Sequence, residues 1–176
     1  AGWVGRYNGL TSDLKTVDLT LSAAYEIVPD RFSVGAGLVY ERAEAELSRA
    51  VDFGSALAFA AVPGFAPQSA DGEAVITGDD TGIGYILGMN LRPTDKLAIG
   101  LSHRSEIDHD LQGEADWTVP GSARTVFNAI GRSALFNDGK VTAKLTTPSV
   151  TSLSIAYQFN DSLSLMADYA QTDWHS

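Results

Sequence analysis

Across residues 17–27 every odd position is apolar (Val17, Leu19, Leu21, Ala23, Tyr25, Ile27), while Asp18, Thr20, Ser22, Ala24 and Glu26 fill the even ones. A period of two held this long specifies a strand with one oily and one polar face; a helix would repeat its apolar positions every three to four residues. Val28-Pro29-Asp30-Arg31 follows with turn chemistry, since Pro presets φ and Asp tolerates tight backbone. The alternation then resumes with Phe32, Val34, Ala36, Leu38 and Tyr40. A second pair holds Ile83, Tyr85, Leu87, Met89 and Leu91, then Leu97, Ile99 and Leu101 across Pro93-Thr94-Asp95-Lys96. A third sets Leu153, Ile155, Tyr157 and Phe159 against Leu163, Leu165, Ala167 and Tyr169 across Asn160-Asp161-Ser162. The chain is therefore all-β and antiparallel, with about six strands in three hairpins, and residues 1–10 read as the end of an earlier strand.

The connections are unequal. Three need only a few residues, whereas two run through roughly residues 42–80 and 105–145. Short turns at one end and long loops at the other are the habit of outer-membrane barrels. The apolar alternation of residues 32–40 has about the length a tilted strand needs to cross the hydrocarbon. Phe32 and Tyr40 bracket it as interfacial aromatics would. No run of apolar residues is long enough for a membrane-spanning helix, and Ala1-Gly2-Trp3-Val4-Gly5-Arg6 shows no signal peptide. By periodicity alone a soluble barrel or sandwich remains open.

Charge and composition exclude several functions. The formal net charge of −10 disfavours nucleic acid as a partner. Zero Cys rules out a disulfide framework and thiolate chemistry. Residues 41–80 (eight acids, two bases) and 104–118 (five acids, one base) carry the whole imbalance. Both segments lie on the long-loop side, where they read as solvated strand extensions or as sites where divalent cations bridge to anionic outer-leaflet lipid.

Several stretches resemble the FadL family of outer-membrane transporters of long-chain fatty acids, which also includes aromatic-hydrocarbon importers. They are residues 16–25 (TVDLTLSAAY), 32–40 (FSVGAGLVY), 78–85 (GDDTGIGY) and 102–107 (SHRSEI), the last followed by Asp110-Leu111-Gln112-Gly113. The resemblance implies a transmembrane β-barrel of about fourteen strands, an N-terminal hatch inside it, and diffusion of a greasy substrate toward a lateral opening. It implies passive uptake of hydrophobic compounds, foremost long-chain fatty acids, across the bacterial outer membrane, with no enzymatic activity and no cofactor. The hatch's Asn-Pro-Ala motif is absent from this sequence, which stops at His175-Ser176. Residues 1–176 are therefore expected to be a partial barrel domain without hatch or C-terminal strands, since six strands cannot close in lipid. The expected partners are outer-membrane lipid and lipopolysaccharide, a hydrophobic small molecule and no nucleic acid, with a monomer at full length. A water-filled porin and a soluble lipid-binding barrel are the competing functions.

The long connections are oddly apolar. Leu57, Phe59, Val62 and Phe65 lie in one; in the other, Ser122 is placed to cap a short helix carrying Phe127, Ile130, Ala134 and Leu135 on one face. The resemblance puts a weak first substrate site between these loops; mutual packing is the alternative. Arg42 stands at the family's Tyr-x-Arg-Ala position, where an Arg is associated with a substrate carboxylate. Parity turns it the same way as Tyr40, so that role requires a bulge or a place above the membrane. Arg104, Glu106 and Asp108 share a face with Ser102 and read as a luminal polar network. His103, His109 and His175 lack a nucleophile motif, and alternation splits Asp108 and Asp110 from His109, so neither a catalytic nor a metal site is expected. Gly82-x-Gly84 lacks the rest of a nucleotide loop.

Parity names the faces. Leu21, Val34, Leu38, Leu87 and Ile99 are expected to face lipid, and Leu87→Arg should cost about 2–4 kcal/mol in folding into bilayers. Gly35, Gly37, Gly82, Gly84, Gly88 and Gly100 fall on the inward face, where the hatch would press.

Overall fold

The computed structural model describes residues 3–132 and 134–174; His175, weighed above, lies outside them. Eight strands and two short helices follow in the order β1 (Thr11–Val28), β2 (Phe32–Asp52), α1 (Phe53–Phe59), β3 (Asp71–Thr94), β4 (Leu97–Arg104), β5 (Ile107–Thr118), α2 (Gly121–Ala129), β6 (Gly139–Thr147), β7 (Ser149–Asn160) and β8 (Leu163–Asp173). One sheet joins them in the order β1-β2-β3-β4-β7-β8, with β5 pairing β3 and β6. The path ends at β1 and β8, so within this chain the sheet does not close on itself. Its ladders β3–β4, β3–β5, β4–β7 and β7–β8 are antiparallel.

The strands outnumber the six expected because much of each long connection is itself strand. β2 continues to Asp52 and β3 begins at Asp71, which leaves residues 53–70 between them. β5 and β6 reduce the second connection to residues 119–138. The acidic positions Glu44, Glu46, Asp79, Glu114 and Asp116 thus sit on strands. Pro148, which cannot donate to a ladder, separates β6 from β7. The expected strand at residues 1–10 is instead a 3-10 turn, Val4–Tyr7. It is tied down where Arg6 Nη2 and Tyr7 Oη donate to the Asp71 carboxylate, each at 2.7 Å.

Two compact units divide the chain. One holds Thr16–Ala43, Thr81–His109 and Lys144–Ser176, and within it the alternation is realised as two dissimilar faces. Leu21 (79% exposed), Ile83 (74%), Leu38 (63%) and Leu87 (50%) stand bare on one face. Val34 and Ile99 are half-buried. Large exposed apolar residues on every strand would be an aggregation hazard in water and are the requirement in lipid. At the short turn after β1, Asp30 takes a left-handed φ of 58° and Arg31 N donates to Val28 O at 3.0 Å.

The second unit holds Ala1–Lys15, Glu44–Asp80 and Asp110–Ala143. Its core is the cluster Phe53, Leu57, Ala70, Ala123 and Phe127, against which Val51, Val62, Phe65, Val119, Val126 and Phe136 pack.

Candidate functional site

The other face of the first unit carries many small side chains. An open groove of about 330 Å³ runs over Ala24, Ser33, Gly35, Gly88, Asn90, Gly100, Ser102, Ser152 and Ser154. A methyl group added at Gly88 or Gly100 would meet nothing closer than 3.8 Å. Val34, Met89 and Leu101 complete the groove's lining, which offers weak hydrogen bonding and includes no charged side chain to hold a ligand back.

At one end of this face lies a polar cluster. Arg104 donates through Nη1 to Asp18 Oδ2 at 2.6 Å and through Nη2 to Glu41 Oε2 at 2.7 Å. Glu41 is 2% exposed. Its Oε1 lies 2.8 Å from His109 Nε2 and accepts from Thr147 Oγ1 at 2.9 Å. Buried carboxylates persist only where charge and donors surround them, as here.

A bulge assembles the cluster. The β3–β4 ladder includes Ile86↔Arg104 and the β3–β5 ladder Asp79↔Gln112, so seven steps along β3 answer eight on the facing chain. The extra residue falls at Ser105–Glu106, between β4 and β5. There Tyr85 N bonds to the Ser105 hydroxyl at 3.0 Å while Ser105 N bonds to Tyr85 O. One inserted residue reverses the parity beyond it. Ser105, Ile107 and His109 are consequently buried, and Glu106 and Asp108 are exposed. The expected network Arg104–Glu106–Asp108 is therefore corrected: Arg104 belongs to it, its partners are Asp18 and Glu41, and Asp108 accepts instead from Thr146 Oγ1 at 2.7 Å. Gly82 and Gly84 make the turn-in possible. A Cβ on Gly82 would run into Ile107, and one on Gly84 would meet Ile107 at 2.6 Å and Ser105 Oγ at 2.8 Å. These two glycines answer to this chain's own Ile107 rather than to a hatch.

In the second unit, Asp52 caps α1. It accepts from Ser55 N at 2.8 Å and from Gln68 N at 3.0 Å, clamping both ends of the first loop. Burial pushes the Asp52 carboxyl up, but the Ser55 hydroxyl and the backbone N–H groups of Ser55, Gln68 and Gly54 outweigh it, leaving the pKa below its ordinary value. A lowered folded-state pKa stabilises the loop fully above the ordinary carboxylate pKa, and that contribution disappears as pH falls through the lowered one. Asp52→Ala should cost about 0.5–2 kcal/mol and remove this acid sensitivity, read as amide exchange of residues 53–70 against pH.

Four rings join the loops. Phe53 meets Phe136 at 5.0 Å and Phe127 at 6.0 Å, edge to face, and Phe136 also meets Trp117 at 5.1 Å. Phe136 has φ 56°, costly for a bulky side chain. Arg124 holds it there by donating to Leu135 O at 3.0 Å and Phe136 O at 2.9 Å. α2 begins after Pro120 with no side-chain cap, so the role expected of Ser122 is not realised, and Ala134 and Leu135 lie beyond its end.

The seven expected substrate-binding residues separate into groups. Leu57 and Phe127 are buried in the loop core, with Val62 and Phe65 packed against it; for these four, packing accounts for the apolar side chain. Phe59 (96% exposed) and Ile130 (54%) present apolar surface to solvent. Arg42 is exposed on the same face as Leu38 and Tyr40, opposite the buried Val39, Glu41 and Ala43. Its expected role required a bulge or a place above the membrane; the bulge between β4 and β5 is not at Arg42, which leaves the second. Sequence reasoning overlooked Phe53, Phe136 and Arg124, and weighed His109 only as a catalytic or metal candidate, not as the buried partner of Glu41. An Asp-x-x-Ser cap at Asp52 was the legible signal for α1.

The sequence matches the family described as "Outer membrane protein transport protein (OMPP1/FadL/TodX)" over residues 1–176. The crystal structure of a Pseudomonas aeruginosa FadL homologue superposes with a TM-score of 0.82 at 27% identity, covering 98% of this chain and 41% of that one. The CymD monoaromatic hydrocarbon channel gives a TM-score of 0.62 at 22% identity over 93% of this chain and 46% of its own, a likeness of fold. A Neisseria meningitidis serogroup B protein named as an outer membrane protein is 32% identical over 108 residues, 58% of this chain and 22% of that protein. The chain thus spans less than half the length of these relatives.

Proposed function

We propose that this chain, which belongs to the OMPP1/FadL/TodX family of outer membrane transport proteins, forms an arc of barrel wall and two capture loops of a channel for passive uptake of hydrophobic compounds. The protein is located in the bacterial outer membrane. The observation that carries the reading is the contrast between the wall's two faces. The outer one carries exposed apolar side chains on β1, β2, β3, β4, β7 and β8, and the inner one holds a groove lined mostly by Gly, Ser, Ala and Asn, with Val34, Met89 and Leu101. A general porin would line that face with charge. Here a greasy solute meets weak, sequence-tolerant contacts that let it enter and leave.

Long-chain fatty acids are the first substrate class on this reading. Aromatic hydrocarbons are the second, favoured by one observation. Arg104 on the inner face is already bound by Asp18 and Glu41, so an uncharged ligand loses nothing there that a carboxylate would gain. Phe59 and Ile130 are the exposed loop residues that would collect either substrate. Phe59→Ser with Ile130→Ser in the full-length protein should slow uptake at low substrate concentration and leave it near normal at saturation. The paired variant removes two exposed anchors without disturbing the loop core. Unchanged kinetics at every concentration would remove the loops from the path.

A further inference from the structure

We infer that Asp18 is a specificity-determining residue of the inner face: its carboxylate, paired with Arg104 at the groove's end, weighs against anionic ligands and favours uncharged ones of the same length. The inference rests on the uptake reading proposed above and deepens it. The groove leads to this pair along two strands. On β4 its lining includes Gly100 and Ser102, and Arg104 is the next inward position. On β1 it reaches Ala24. An overlapping hollow of about 500 Å³, which shares Ala24, Gly35 and Gly88 with the groove, continues over Ser22 and Thr20, and Asp18 is the next inward position there. Two residues along a strand cover about 7 Å, so the head of a ligand lying in either hollow comes within reach of the pair.

The pair is placed where a solute meets it. β1 and β4 stand three places apart in the sheet, so the bond of 2.6 Å from Arg104 Nη1 to Asp18 Oδ2 spans β2 and β3 instead of joining neighbours. The Arg104 and Asp18 side chains keep 26% and 31% of their surface, whereas Glu41 keeps 3%. Glu41 is thus the rear anchor, accepting from Arg104 Nη2 at 2.7 Å through one oxygen and bonded to His109 and Thr147 through the other. Asp18 is the front anchor, the one a ligand can touch.

Chemistry then decides the selection. A guanidinium takes a carboxylate best as a fork, two parallel N–H groups on its two oxygens. In this cluster the two terminal nitrogens of Arg104 are each held by a different carboxylate. A ligand's carboxylate would have to displace Asp18 and would sit beside two acids while doing so, and like charges that close disfavour each other. An uncharged head, whether an alcohol, an arene or a protonated fatty acid, meets no such opposition. Asp18 therefore discriminates between charge states and not between carbon skeletons, and a fatty acid is admitted at this point in its neutral form.

The test measures equilibrium binding of radiolabelled dodecanol and dodecanoate to the full-length protein at about pH 8, where the ligand carboxylate is ionised. It reads the ratio of the two affinities, so that partition into detergent cancels between variants. Asp18→Asn keeps an acceptor oxygen for Arg104 and removes one charge, and should shift the ratio about tenfold toward dodecanoate, as expected when a charge-assisted bond to the ligand replaces a repulsion. Adding Arg104→Gln to Asp18→Asn should abolish that shift. Asp18→Thr, an uncharged strand former like Thr20, should move the ratio the same way and serves should Asp18→Asn fold poorly. A ratio unmoved by either substitution, or a shift that survives the loss of Arg104, would overturn the inference while leaving the uptake of hydrophobic compounds standing. A wild type that binds neither ligand would overturn both.

Discussion

Truncating Phe53 to alanine is expected to cost the loop module about 3–5 kcal/mol while leaving the wall strands unaffected. The ring is 1% exposed. It meets Phe136 at 5.0 Å and Phe127 at 6.0 Å, and it occupies the space over Gly72, where an added Cβ would approach it at 2.6 Å. Its loss leaves a cavity where the two loops join, and with it goes the packing that holds Phe136 at a left-handed φ. Hydrogen exchange on the full-length protein should show protection collapsing in residues 53–70 and 119–138 together. Loss in one loop alone would mean that the shared rings do not couple them. Phe59→Ser, at a residue 96% exposed, should leave exchange unchanged, which separates a packing role from a capture role.

Glu41→Ala is the second large effect, about 1–3 kcal/mol, because it strips a buried acceptor from Arg104, His109 and Thr147 at once and leaves Arg104 with Asp18 alone. Glu41→Gln keeps an acceptor oxygen and should lose less. Thermal unfolding of the full-length barrel, followed by heat-modified gel mobility, reads both variants. A Glu41→Ala protein as stable as wild type would show that the cluster contributes nothing net.

The wall was legible because a strand with lipid on one side writes its period plainly, as at residues 17–27 and 32–40. The strand extensions were harder to see. Beyond Tyr40 the outward positions turn polar, Arg42, Glu44 and Glu46, and the buried positions change parity, odd at Glu41 and Ala43 and even at Ser48 and Ala50. Arg104 was placed on the correct face by counting from Ser102. Glu106 and Asp108 were not, since a bulge carries no composition signature and every count made across it inverts. The loop core was out of reach for another reason. Phe53 and Phe136 are 83 positions apart, and neither sits in a periodic segment that would announce which way its ring turns.

The extra residue at Ser105–Glu106 also bears on how a chain of this kind can change length over evolutionary time. Losing a single codon there would not shorten a loop; it would merge the two ladders into one register and straighten the join of β4 and β5. The side chains of Ile107 and His109 would keep the face of Arg104, and what would be lost is the bend and, with Ser105, the bond of Tyr85 N to its hydroxyl. Related chains are therefore expected to tolerate insertions freely within residues 60–69 and 130–138, and between Arg104 and His109 to keep or lose the one bulged residue together with its bond to Tyr85.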